Sequence, residues 1–175
     1  GETFPSIRGG VDFGVPLPLN NSSVWLYTAA GTVGGEDASP LSAWYMGAFG
    51  NNYVDDREIK RYREFDSFPG FEINEIEAQT FARVIGEVNL PPMRFEDLGV
   101  ASLFLSSVRP ALFAGALEAE PRFGDRRSLQ TVGFQTDWNF TVAHRLPMTL
   151  SVGYARGFED GEAESDEVLL TLKIM

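Results

Sequence analysis

Four positive side chains fall close together in the run DDREIKRYREFD: Arg57, Lys60, Arg61 and Arg63. The chain as a whole carries 14 basic against 25 acidic residues, a net charge of -11, so this cluster is a local island of positive charge. Such a cluster can pair with carboxylates lining a concave site, or it can form a solvated face balanced by Asp55, Asp56 and Glu58; the run allows both. Other candidates for chemistry are weaker. The single histidine, His144, stands beside Arg145 in a tight turn, and no Gly-x-Ser-x-Gly elbow accompanies it, so nucleophilic catalysis has no frame. The acidic run FEDGEAESDE, Phe158 to Glu167, could offer oxygens to Ca²⁺ but lacks the spacing of a calcium loop. GGVDFG, Gly9 to Gly14, has glycines without a phosphate-binding pattern and following helix. With no cysteine there is no thiol nucleophile, disulfide or thiolate metal site. These readings predict a protein that is not an enzyme and holds no cofactor and no metal. The acidic balance argues against nucleic acid as a partner.

The elements that would position the basic cluster are strands. In TVGFQTDWNFTV, Thr131 to Val142, one parity carries Val132, Phe134, Trp138, Phe140 and Val142, and the other carries Gln135, Asp137 and Asn139. Period two is the mark of a strand with one apolar and one polar face. Asp166 to Met175 and Met148 to Phe158 alternate in the same way. Ile76 to Leu90 reads as a long strand with Ile76, Ala78, Ala82, Val84, Val88 and Leu90 on one face, Phe81 and Ile85 breaking the pattern. Leu98 to Glu118 is strand-like, with a bulge or bend expected at Arg109-Pro110. Gly10 to Leu17 and Ser23 to Val33 complete a count of seven strands. Gly34 to Asn74, about forty residues without a clean period, is long enough to suggest a functional loop.

The connections alternate in apparent length. PLPLNN, PPMRFED and HRLP are short; Gly34 to Asn74, Ala119 to Ser128 and Glu159 to Ser165 are long. Outer-membrane barrels sort their turns in this way, with strands of about 9 to 11 residues crossing the bilayer and aromatic girdles at its borders. Trp138, Tyr154, Phe158, Trp25 and Tyr27 are girdle candidates. A soluble ligand-binding barrel or sandwich would use the same alternation with Val132, Phe134, Trp138 and Phe140 in a dry interior, and a passive pore is a further alternative. No apolar run reaches the roughly 18 residues of a membrane helix. Seven strands are fewer than the roughly eight that close a barrel, and the chain opens at Gly1 without a leader-like segment. The expectation is an all-β fold: an antiparallel meander of about seven strands forming the C-terminal part of one transmembrane barrel domain over residues 1–175.

The segments EINEIEAQTFARVIGEVNLPP, RPALFAGALEA, RRSLQTVGFQTDW, PMTLSVGYARG and DEVLLTLKIM resemble, in this order, the closing strands of the outer-membrane assembly-factor barrels, the surface-antigen superfamily. The likeness covers about Phe68 to Met175. In that family a long extracellular loop turns into the lumen and ends in a Val-Arg-Gly-Phe tip; here Phe68, Pro69, Gly70 and Phe71 stand in its place. The family's tip arginine pairs with an aspartate whose position is taken here by Gly115, so both charges are absent together. The resemblance thus implies a lumen-inserted loop over 34–74, with Arg61 or Arg63 reaching Asp137 as a lumen counter-charge, and with Val132, Phe134, Trp138, Phe140 and Val142 facing membrane lipid. It implies residence in the bacterial outer membrane, completion by barrel strands outside these residues, and a role in inserting or translocating polypeptide, in contact with the assembly machinery. The run FGNNYVDDREIKRYREFDSFPGFEI is similar to a subset in which the barrel follows a TolB-like β-propeller and serves as its membrane anchor. One departure is the ending Lys173, Ile174, Met175, where the family commonly has an aromatic residue.

Overall fold

The computed structural model describes residues 5–34, 42–50, 59–96, 98–100, 102–143 and 145–174. Arg57 and His144 lie outside the described residues. Chain order gives β1 (Ser6–Pro16), β2 (Ser23–Val33), β3 (Trp44–Met46), β4 (Ile76–Ala78), β5 (Thr80–Asn89), β6 (Met93–Arg94), β7 (Gly99–Val100), β8 (Leu103–Glu120), β9 (Arg127–Val142), β10 (Leu146–Glu159) and β11 (Glu162–Ile174). Seven of these form an antiparallel meander in the order β1-β2-β5-β8-β9-β10-β11. β6 and β7 fold back on β8, and β3 pairs with β4 in a separate ribbon. The fold is all-β, and β1 and β11 are its open edges.

The register turns the alternation of single strands into rows that run across the sheet. Val15, Val24, Val88, Leu112, Phe134, Tyr154 and Val168 are successive cross-strand neighbours on one face. The adjacent row on the opposite face is Gly14, Trp25, Glu87, Phe113, Gly133, Ala155 and Glu167. The first face is uncovered: Val168 is 74% exposed, and Val11, Phe13, Leu112 and Leu170 are also exposed. The second face is covered by the segment between β2 and β5, and the buried residues cluster there.

Several local expectations are corrected. The acidic Glu159 to Ser165 is not a long connection: β10 runs through Glu159, β11 begins at Glu162, and Asp160-Gly161 turns the chain with both φ positive. Asp-Gly matches the twist of a two-residue hairpin, and its strand-forming force outweighs the acidity that suggested a loop. PPMRFED is not compact either, because the connection continues through β6 and β7 to Leu103. Length therefore does not separate the two ends of the sheet, apart from the one connection from β2 to β5.

Pro110 does not interrupt β8. Its carbonyl accepts from the Leu90 amide, 3.0 Å, so its donor-less nitrogen faces the point where β5 has ended and costs no ladder bond. The irregularity lies instead between Leu105 and Ser107. Ile76 to Leu90 is two strands, broken at Gln79, which donates to Glu120 and accepts from Val33. The break reverses parity, so β5 buries Phe81, Arg83, Ile85 and Glu87, and the two apolar residues that disturbed the sequence pattern are those packed under the inserted segment.

Candidate functional site

The described parts of the segment between β2 and β5, residues 42–50 and 59–79, lie on the polar face of the sheet and touch all seven long strands. Its tip is held hardest. Phe68 and Phe71 are buried and stacked, ring centres 5.6 Å apart. Gly70 adopts a positive φ of 91°, and a Cβ there would meet the Gly157 amide nitrogen at 2.5 Å. A Cβ on Gly157 would strike the Gly70 carbonyl and meet Phe71 Cε2 at 2.7 Å, so the two glycines let backbone pack on backbone. The Thr131 hydroxyl donates to the Pro69 carbonyl, 2.6 Å, and Ser165 donates to the Gly70 carbonyl.

Glu167 closes this latch. One carboxylate oxygen accepts the Phe49 amide at 2.9 Å and the other accepts the Gly70 amide at 3.0 Å. Two separate stretches of the segment are thereby fixed to β11. Ala48 and Phe71, with Phe68, join the same stretches through backbone bonds of 3.0 Å. From the other edge, Arg8 of β1 lies 3.7 Å from Asp66 and stacks over Trp44 and Phe65. Burial pushes the Asp66 carboxyl above its ordinary pKa, against the pull of Arg8 and Arg83.

These contacts require a curled sheet. A flat sheet would set β1 and β11 roughly 29 Å apart, six spacings of about 4.8 Å. Asp66 and Gly70, which reach one edge each, are joined by chain that spans at most about 14 Å. Side chains stand close to perpendicular to a sheet, so the strands themselves must curve around the segment.

The basic cluster is divided among three carboxylates. Lys60, rather than Arg61 or Arg63, meets Asp137, with Nζ 3.0 Å from Oδ2 and both side chains nearly buried. Gln135 and Ser151 donate to the other oxygen of Asp137 at 2.6 and 2.8 Å. Arg63 grips Glu87 with two bonds, 2.8 and 2.6 Å, and Glu87 is fully buried. Arg61 pairs with Glu64 within the segment, 3.1 Å. Position explains the exchange: residues 61–63 form one 3-10 turn, which aims Arg61 and Arg63 in different directions. Between them, Tyr62 is buried against Phe113 with ring centres 4.3 Å apart, and burial beside Glu87 pushes its phenol well above the ordinary value.

Glu87, Glu167, Arg83 and Thr131 were not singled out by sequence. Arg83 donates to the carbonyls of Glu64 and Ser67 and so supports the tip from beneath. Glu87 and Arg83 do alternate with apolar residues, which was the available signal; Glu167 was hidden in the acidic run. Gly115 lies next to Thr131 and Ile85, and a Cβ there would come within 2.9 Å of the Val84 carbonyl. No larger side chain fits without a shift.

On the uncovered face, Val132 is 49%, and Phe134 and Trp138 are 40% exposed, while Phe140 and Val142 are half-buried. Tyr154 and Phe158 share that face, whereas Trp25 and Tyr27 lie on the covered one and are not girdle residues. Beneath the segment, at the end of the sheet opposite the tip, a cavity of about 470 Å³ is lined by Lys60, Arg63, Arg94, Arg109 and Asp137 among others. Among the described residues no group of three or more His, Cys, Asp or Glu side chains could hold a metal ion. No family profile, curated protein or solved structure matches the chain.

Proposed function

We propose that the chain forms part of the wall of a bacterial outer-membrane β-barrel of surface-antigen type, with the uncovered face toward lipid and the segment between β2 and β5 plugging the lumen. The observation that carries this reading is the pairing of faces. A soluble sheet buries its apolar face and wets its polar one, but here the polar face is filled and the apolar one is bare.

The dimensions support it. Val132 to Val142 covers about 34 Å along the strand, or about 26 Å after a tilt of roughly 40°, close to the apolar band of about 25 Å in known barrels. That band is bordered on one side by charge: Arg156 and Asp166 pair at 2.7 Å, and Arg126 and Glu118 at 3.0 Å. Closure of the barrel needs strands from outside these residues against the edges of β1 and β11. A filled polar face favours a plugged barrel, acting in polypeptide insertion or translocation or as an anchor for a soluble part, over a passive pore.

Fractionation of cells that produce the full-length protein tests the proposal. Recovery in the outer membrane, with extraction only by detergent and heat-dependent migration on gels, is expected; a folded monomer in the aqueous fraction would overturn it.

A further inference from the structure

We infer that the cavity beneath the inserted segment binds a small multivalent oxyanion, one bearing phosphate or carboxylate groups. The inference rests on the covered face alone and holds whatever solvent meets the other face. Among the described residues four cations line the cavity, Lys60, Arg63, Arg94 and Arg109, against the carboxylate of Asp137, and Arg63 is itself bound to the buried Glu87. The Asp137 carboxylate is spent: Lys60 takes one oxygen, and Gln135 and Ser151 take the other. Arg109, its cross-strand neighbour, makes no hydrogen bond or ion pair with it. Arg94 likewise has none among the described residues. Two guanidinium groups therefore line the cavity with no bond from their donors to any other described residue.

Two hydroxyls of the lining, those of Ser23 and Ser107, are turned the same way. Ser23 Oγ accepts from Trp25 Nε1 at 3.1 Å and from Asn89 Nδ2 at 3.2 Å. Ser107 Oγ accepts from Asn139 Nδ2 at 3.1 Å. Each hydroxyl then has its own proton left to give, and neither donates to another described residue. Thr149 occupies the Asn139 carbonyl oxygen at 2.8 Å, which removes a further acceptor. A wall of donors around a positive concavity in a chain of net charge -11 concentrates anions and repels cations. Arginine's planar fork matches the oxygens of a phosphate or carboxylate, and a volume of about 470 Å³ admits a small molecule but not a folded domain.

Calorimetric titration of the full-length protein at low ionic strength, with inorganic pyrophosphate and with citrate, tests this site. Saturable binding of either probe is expected, at least tenfold weaker in the Arg94→Gln/Arg109→Gln variant and unchanged in Arg126→Gln, which alters a distant surface pair. The better probe tells whether phosphate or carboxylate is the recognised group. Circular dichroism of the double variant checks that the sheet is intact. Absence of saturable binding to both probes, or equal affinity in a folded double variant, would overturn the inference.

Discussion

Lys60 Nζ lies 3.0 Å from Asp137 Oδ2, so the inserted segment and the centre of the sheet share a nearly buried ion pair. The two residues are 77 positions apart in sequence, and the pair fixes how the segment sits. The two sides of the pair are not equivalent. Both border the cavity, but Asp137 also accepts hydrogen bonds from Gln135 and Ser151, and its side chain is 4% exposed against 10% for Lys60.

Replacing Lys60 by Met should therefore be costly, because it strands a buried carboxylate; a loss of about 3 kcal/mol is expected from the behaviour of broken buried pairs. Asp137→Asn should cost less, since the amide keeps an acceptor oxygen and Lys60 can turn to water. Denaturant unfolding of both variants checks the order, and equal losses would mean that the enclosure of Asp137 has no effect on the pair.

Gly157→Ala tests the contact between the tip and β10. The added methyl collides with the Gly70 carbonyl and Phe71, so the tip must move away while the sheet keeps its register. Limited proteolysis should show new cleavage within residues 59–79 and little change elsewhere. Unaltered resistance of that segment would mean that the tip tolerates displacement.

Glu167→Gln keeps one acceptor but removes the charge that serves two amides. Charge-assisted bonds are worth roughly twice neutral ones, so loss of about 1.4 kcal/mol of local stability is expected. Hydrogen exchange at Phe49 and Gly70 should then speed up about tenfold together. Acceleration at one amide alone would show that Glu167 does not couple the two stretches.

Leu112→Arg separates lipid from water on the uncovered face. Leu112 is 50% exposed in a central strand, and as a water-facing residue it would tolerate the change within about 0.5 kcal/mol. Facing the bilayer, the same arginine should cost about 2 to 4 kcal/mol near the midplane. Unfolding from lipid vesicles reads the difference.

The meander was legible because hydrophobic period reports strands directly, and the TVGFQTDWNFTV strand places its two faces as its parity indicates. Turn length was less legible. At Asp160-Gly161 local charge drew attention from the dipeptide that dictates a hairpin, and at β6 and β7 two-residue strands are too short to leave a period. The site was half visible. A basic cluster and Asp137 stand out by charge, but which of Lys60, Arg61 and Arg63 meets Asp137 depends on one 3-10 turn whose orientation is set by Tyr62 packing on Phe113. Glu167 gained its role only through the register that carries β11 beside Gly157.

The central claim is that the uncovered face meets lipid, and tryptophan fluorescence in vesicles with bromine-labelled acyl chains tests it most directly. The chain has three tryptophans, and Trp138 stands on the uncovered face while Trp25 lies on the covered one. In full-length variants keeping one of these as the reporter, the account predicts strong quenching of Trp138 by the labelled lipid and little quenching of Trp25. Equal emission of Trp138 in labelled and unlabelled vesicles, from protein that is folded, would contradict it.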